Sequence, residues 1–201
     1  MSELAVLQAV RLKGRVSLVD LAGTLGTAAD DLAGIVDGLV RSGLLVDGKA
    51  LRVSPDGRVR LEKLLAAERE PIDKAALAAA YADFQAVNAD FKALVTDWQL
   101  KGGQPNTHDD REYDSAILAR LDNMQRRVAP IVAAAAAQLP RLDGYSTKLQ
   151  AALDKVRAGE TMWLSRPIID SYHTVWFELH EELILAAGLT RELEAKSGNA
   201  Q

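Results

Sequence analysis

Between Ser17 and Arg58 the chain is punctuated at short intervals, and this punctuation constrains the fold more than any other feature. Ser17 is a good N-cap for a short helix carrying Leu18, Val19, Leu21 and Leu25, and Gly26 closes it. Thr27, with Asp30 three residues on, approximates a capping box for a second helix with Leu32, Ile35, Val36, Leu39 and Val40 as its apolar stripe. Gly43 ends that helix. Leu44–Val46 and Ala50–Val53 read as short strands, and Asp47-Gly48 between them is a tight-turn signal. Ser54-Pro55 then opens another helix, with serine as cap and proline at the first position. Upstream, residues 3–14 fit a helix closed by Gly14, and Arg15-Val16 a short strand.

That order predicts a mainly α chain opening with a winged helix-turn-helix with a short two-stranded wing, over residues 1–70. The Glu70-Pro71 step marks the boundary, because proline disfavours helix in the residue before it. The second helix of the motif is placed to read DNA, yet its outward face carries Asp30, Asp31, Gly34, Asp37 and Gly38, with Arg41 near its end. Carboxylates repel phosphates, and base edges are read mostly by Arg, Lys, Asn and Gln. Basic residues cluster elsewhere, at Arg11, Lys13 and Arg15 and again at Lys49, Arg52, Arg58, Arg60 and Lys63.

Residues 71–201 are expected to form an antiparallel helical bundle that serves as an effector or dimerisation domain. A long helix over 73–101 repeats Tyr81, Phe84, Val87, Phe91, Val95 and Trp98 at spacings of three and four. A plain loop over 101–107 follows. A second helix starts near His108, with Pro130 inside it expected to kink or interrupt it. A third spans Tyr145–Ala158, a fourth Glu160–Ala187, and a short tail helix Leu189–Lys196.

Of 201 residues, 48% are apolar and 26% charged, the balance of an ordinary soluble globular protein. The absence of cysteine excludes disulfides, thiolate metal sites and cysteine nucleophiles. No apolar run reaches the length of a membrane span and no secretory leader opens the chain, so a cytoplasmic protein without a membrane partner is expected. The net charge of -4 argues mildly against non-specific nucleic-acid binding.

The helix order and the exit Leu51-Arg-Val-Ser-Pro-Asp-Gly-Arg58 resemble the MarR-like winged-helix regulators over the first 70 residues. This resemblance implies a homodimeric transcription factor bound to DNA, with Ala28 to Arg41 in the major groove and Lys49 and Arg52 on phosphate. Arg11 and Lys13 would share that DNA-facing side. The chain departs from the family in its acidic reading face, its short wing, and the placing of nearly all additional sequence on the C-terminal side.

Three further stretches, Ala9-Val-Arg-Leu-Lys-Gly14, Asp97-Trp-Gln-Leu-Lys101 with Pro105-Asn-Thr-His-Asp-Asp-Arg-Glu-Tyr-Asp114, and Asp170–Glu182, resemble a second group. It is an actinobacterial-type group in which a winged helix precedes a helical module, near or fused to pyruvate, phosphate dikinase-like proteins. This resemblance implies a regulatory or docking module linked to phosphoenolpyruvate chemistry. The chain has no glycine-rich phosphate loop with a following lysine.

All three histidines fall in the second half, each near carboxylates. His173 and His180 are seven residues apart, so both point the same way, with Trp176 between them and Asp170 three before His173. Three readings stay open. The histidines are interior groups bonded to Asp or Tyr. Alternatively Trp98, Tyr113, Tyr172 and Trp176 wall an effector pocket with Gln99, Asn106, His108 and His173 as polar contacts. Or His108, Asp114, Asp170, His173 and His180 hold a divalent metal, a donor set similar to that of helical effector domains of some GntR-type regulators. No spacing reproduces a tight metal motif, and otherwise no cofactor is expected. Ser165 and Ser171 lack the strand-turn-helix setting of a hydrolase nucleophile, so the chain is read as a non-enzyme. The expectation is a regulator responding to a small-molecule effector. The alternative is a protein-interaction module that does not bind DNA.

Overall fold

A computed structural model describes residues 1–189. The described chain is mainly helical with two small two-stranded antiparallel sheets, and no helix is long and apolar enough to cross a membrane among the described residues. It divides into two compact units, Met1–Ile72 and the residues from Asp73 onward. The expected tail helix beyond Leu189 lies outside the described residues.

In the first unit α1 spans Glu3–Lys13, with Ser2 as its N-cap and Gly14 (φ 70) closing it. Five consecutive α1 residues, Val6 to Val10, are buried, so the other helices pack around α1. Helix α2 (Leu18–Leu25) is capped by Ser17 and closed by left-handed Gly26. Helix α3 spans Ala29–Arg41 and buries Leu32, Val36 and Leu39. Its N-cap is Ala28, which has no side chain to cap with, so the Thr27–Asp30 capping box is not formed.

Strands β1 (Leu45–Val46) and β2 (Arg52–Val53) pair antiparallel, Leu45 with Val53 and Val46 with Arg52. The two-residue Asp47-Gly48 turn does not form. Leu51 is drawn instead into an antiparallel bridge with Val16, which leaves the longer connection 47–51. Helix α4 (Pro55–Glu68) starts as expected, with the Ser54 hydroxyl accepting from the Gly57 N–H. Arg60 on α4 is held to Glu3 on α1 by two hydrogen bonds of 2.9 and 3.0 Å.

The second unit begins with α5 (Lys74–Gln99), N-capped by Asp73. The loop after it is not plain. Strands β3 (Leu100–Lys101) and β4 (Gln104–Pro105) form a hairpin around Gly102 (φ 60) and Gly103 (φ 79), both in the left-handed region that a two-residue type I′ turn requires. Helix α6 (Arg111–Gln138) starts three residues later than expected and runs through Pro130 without interruption. It lies antiparallel to α5, since Asp97 meets Arg120 (2.6 Å), Asp90 meets Arg127 (2.7 Å), and the Asp73 N–H reaches Gln138 (3.1 Å).

A 3-10 turn over Pro140–Asp143 leads into α7 (Gly144–Arg157). The single fourth helix expected over 160–187 is split into α8 (Met162–Ser165) and α9 (Tyr172–Ala186). Pro167 forces Arg166 to extended backbone (ψ 125), and the chain restarts as helix only at the Ser171 cap. Helix α9 is central to its unit. Trp176 stacks on Phe91 at 4.2 Å and packs against Phe84 at 5.2 Å. The Trp176 indole N–H donates to Asn88 (2.9 Å), and the Tyr172 hydroxyl donates to Gln125 (2.9 Å). The aromatic faces of α5 and α9 are thus buried within the chain itself.

Candidate functional sites

In the first unit the candidate surface surrounds the small sheet. The Val16–Leu51 bridge sets Arg15 beside Arg52 in the antiparallel register, and Lys49 lies in the connection just before. Arg15, Lys49 and Arg52 are all exposed, as is Arg41 at the end of α3 and Ala28 at its start. Arg11 and Lys13 are half-buried and engaged with other groups of the chain. Arg15 was legible only as part of a basic run; its place beside Arg52 comes from the strand pairing. The outward side of α3 is acidic as expected, with Asp30, Asp31 and Asp37 exposed.

In the second unit the structure gathers Trp98, Asn106, His108, Tyr113 and Asp114 where the β3–β4 hairpin returns to α6. Trp98 is buried near the end of α5, and the His108 ring lies over it with centroids 4.3 Å apart. Asn106 ties the loop down. Its backbone N–H donates to Gln99 (2.8 Å), and its side-chain amide donates to the Trp98 carbonyl (3.1 Å) and to Asp114 (3.0 Å). The Asn106 carbonyl oxygen accepts the His108 backbone N–H at 3.2 Å. His108 Nδ1 stands 3.1 Å from the other Asp114 oxygen.

The Tyr113 hydroxyl shares its one hydrogen between the Asp97 and Leu100 carbonyls at 3.1 and 3.2 Å, so it fastens α6 to the end of α5 and is no free pocket contact. Asp110 caps α6 and binds Lys101 at 2.6 Å. The Lys101 ammonium and the Tyr113 N–H hold the Asp110 carboxyl below its usual range, and the Asp110 carboxylate raises the Lys101 ammonium. The hydroxyl of Thr107 lowers Asp109 in the same way. Gln99 is exposed beside this cluster and reaches it through its backbone carbonyl.

His173 and Trp176 do not join this group. Trp176 is 2% exposed in the α5–α9 core, and His173 packs on Phe91 with centroids 6.0 Å apart. Burial lowers the pKa of His173 below the ordinary histidine value. His180 is buried against Phe84 (5.3 Å) and Tyr81 (6.2 Å). Asp170 precedes the Ser171 cap and so lies off α9. The expected donor set of His108, Asp114, Asp170, His173 and His180 is therefore not assembled. His108 and Asp114 pair at the hairpin while His173 and His180 enter the aromatic core, and no group of three or more such side chains is placed to hold a metal ion among the described residues.

The sequence reading missed a buried charge cluster. Glu178 and Glu182, one helical turn apart on α9, are 3% and 2% exposed. Arg141 of the 3-10 turn reaches Glu182 at 2.7 Å. The Tyr145 hydroxyl is held well above its usual pKa by burial first and then by these two carboxylates. The available signal was the pair of glutamates set among Val175, Leu179 and Leu183 on a stripe that should be apolar.

Comparison with known proteins gives no match to a family model, to a curated protein or to a solved structure.

Proposed function

We propose that the first unit is a winged helix and that the protein is a cytoplasmic transcriptional regulator. In this reading Arg15, Lys49 and Arg52 contact DNA phosphates. The second unit, an antiparallel bundle, binds an effector and joins two copies. The observation that carries the reading is the Val16–Leu51 pairing, which ties a third strand position to the β1–β2 hairpin behind α3 and surrounds it with exposed cations. Phosphate contacts supply most of the sequence-independent affinity of such proteins. Effector binding would act by population shift, favouring the spacing of two winged helices that fits the half-sites. Arg52→Ala is expected to weaken binding by a similar factor on every duplex and to reduce the salt slope by about one. Unchanged affinity would remove the wing from the interface.

A second reading, a protein-docking module, is favoured by a specific observation. Asp30, Asp31 and Asp37 are exposed on the face of α3 that would enter the major groove. Residues 1–72 hold ten basic and ten acidic side chains, so the unit has no net attraction to DNA. Replacing the three aspartates by asparagine separates the readings. A regulator gains DNA affinity from the change, whereas a docking module loses its protein partner.

A further inference from the structure

We propose that His108 and Asp114 form a proton-accepting dyad, with His108 Nε2 as the acceptor for an O–H or N–H group of a small-molecule ligand. The inference stands whether or not the first unit binds DNA.

Asn106 fixes the tautomer of His108. Its amide nitrogen carries two hydrogens, and both have acceptors, the Trp98 carbonyl at 3.1 Å and Asp114 Oδ1 at 3.0 Å. The remaining approach of that nitrogen, to His108 Nδ1 at 3.2 Å, therefore has no hydrogen left for it. Nδ1 faces Asp114 Oδ2 at 3.1 Å, and an ionised carboxylate only accepts. The neutral ring must then carry its proton on Nδ1, and the lone pair stands on Nε2. The tautomer of a histidine is set in this way by the bond its other nitrogen makes.

Three constraints hold the ring in place. It packs tilted on buried Trp98, its backbone N–H donates to the side-chain Oδ1 of Asn106, and its φ of 59° lies in the left-handed region. A non-glycine residue is uncommon there and persists where the surroundings fix it. The His108 side chain is 41% exposed and that of Asp114 16% exposed, so the ring meets solvent while its support is sheltered. His180 is buried and His173 half-buried, each against rings of α5, so both are less exposed than His108.

In the step this arrangement allows, the ligand O–H or N–H bond breaks, its proton moves to Nε2, and the electron pair stays on the ligand atom. Asp114 Oδ2, 3.1 Å from Nδ1, faces the imidazolium that this transfer forms. Asp114 is a positioning residue here and does not touch the ligand.

The test uses the full chain and two probes. Long-range proton–nitrogen NMR reads the tautomer, and diethylpyrocarbonate, which acylates an imidazole lone pair, reads the openness of Nε2. The expected result is His108 protonated on Nδ1 and acylated before His173 and His180. In Asp114→Asn the new carbonyl oxygen is claimed by the Asn106 amide and the new NH2 faces Nδ1. The ring then moves its proton to Nε2, and the early acylation is lost. Asp114→Glu is expected to restore part of it. An Nε2–H or averaged tautomer in the unaltered protein overturns the proposal by itself, whatever the variants do to folding. So does an Asp114→Asn variant with tautomer and acylation order unchanged.

Discussion

Gly57 shows how a single residue can be fixed by its surroundings. A Cβ at this position would lie 2.0 Å from the Leu44 carbonyl oxygen, because the α4 N-terminus is drawn onto the α3–β1 turn by Ser54 bonds to Gly43 (2.6 Å) and Leu44 (3.1 Å). The obstruction is backbone and cannot rotate away. Gly57→Ala is expected to destabilise the first unit by about 1–3 kcal/mol, the usual penalty of overpacking, as a lower midpoint in urea. An unchanged midpoint would mean that α4 is not seated there. Arg141 is the reverse case, a side chain whose removal leaves something behind. With Arg141→Met the buried Glu182 carboxylate loses its cation, and such a break typically costs about 3–5 kcal/mol. The double variant Arg141→Met with Glu182→Leu should recover most of that loss in the same denaturation measurement. Failure to recover would show that the charge pair is not what Arg141 supplies.

At the scale of elements, what was legible in the sequence was local. Ser17 with Gly26, Ser54 with Pro55, and Gly14 mark helix ends through bonds made within a few residues, and these ends fall where expected. What was not legible depended on distant partners. The Asp47-Gly48 turn lost to Leu51 pairing with Val16, a residue 35 positions away. The Gly102-Gly103 pair carries a type I′ turn signal, but flanking strands of two residues each are too short to show as an alternating pattern in the sequence. Pro167 falls inside the single helix expected over 160–187, yet the chain needs the non-helical stretch 166–171, with turns over 167–170, before Ser171 can cap α9. The members of the hairpin cluster were named one by one from the sequence, but Asn106 as its bridge required the fold.

Helix α9 also makes the second unit sensitive to pH. His173 is kept neutral by burial, so its folded pKa lies below the unfolded value of about 6.5. Its stabilising contribution is complete above that pH and is lost as the pH falls below it, because the unfolded chain then binds a proton that the folded chain resists. The melting temperature of the protein should drop between neutral pH and pH ~5, and His173→Phe should flatten that dependence. An equal drop in the variant would assign the effect to other groups.

The whole molecule joins two units with different kinds of order. The first builds around α1, buried along its middle, and turns an acidic helix and a cationic sheet edge to solvent. The second has an aromatic core centred on α9 and exposes a polar cluster at the β3–β4 hairpin. Among the described residues the cation-flanked sheet and the His108 ring are exposed, while the aromatic faces of α5 and α9 are covered. The regulator account thus rests on whether exposed cations outweigh the aspartates of α3 when a duplex approaches.

Fluorescence anisotropy of the purified protein, titrated in salt with duplex from around its own gene against scrambled duplex, measures that balance directly. The account predicts tighter binding to the native duplex and affinity that falls linearly with salt on logarithmic axes. Absence of binding to either duplex at low salt would contradict it and leave the docking reading in its place.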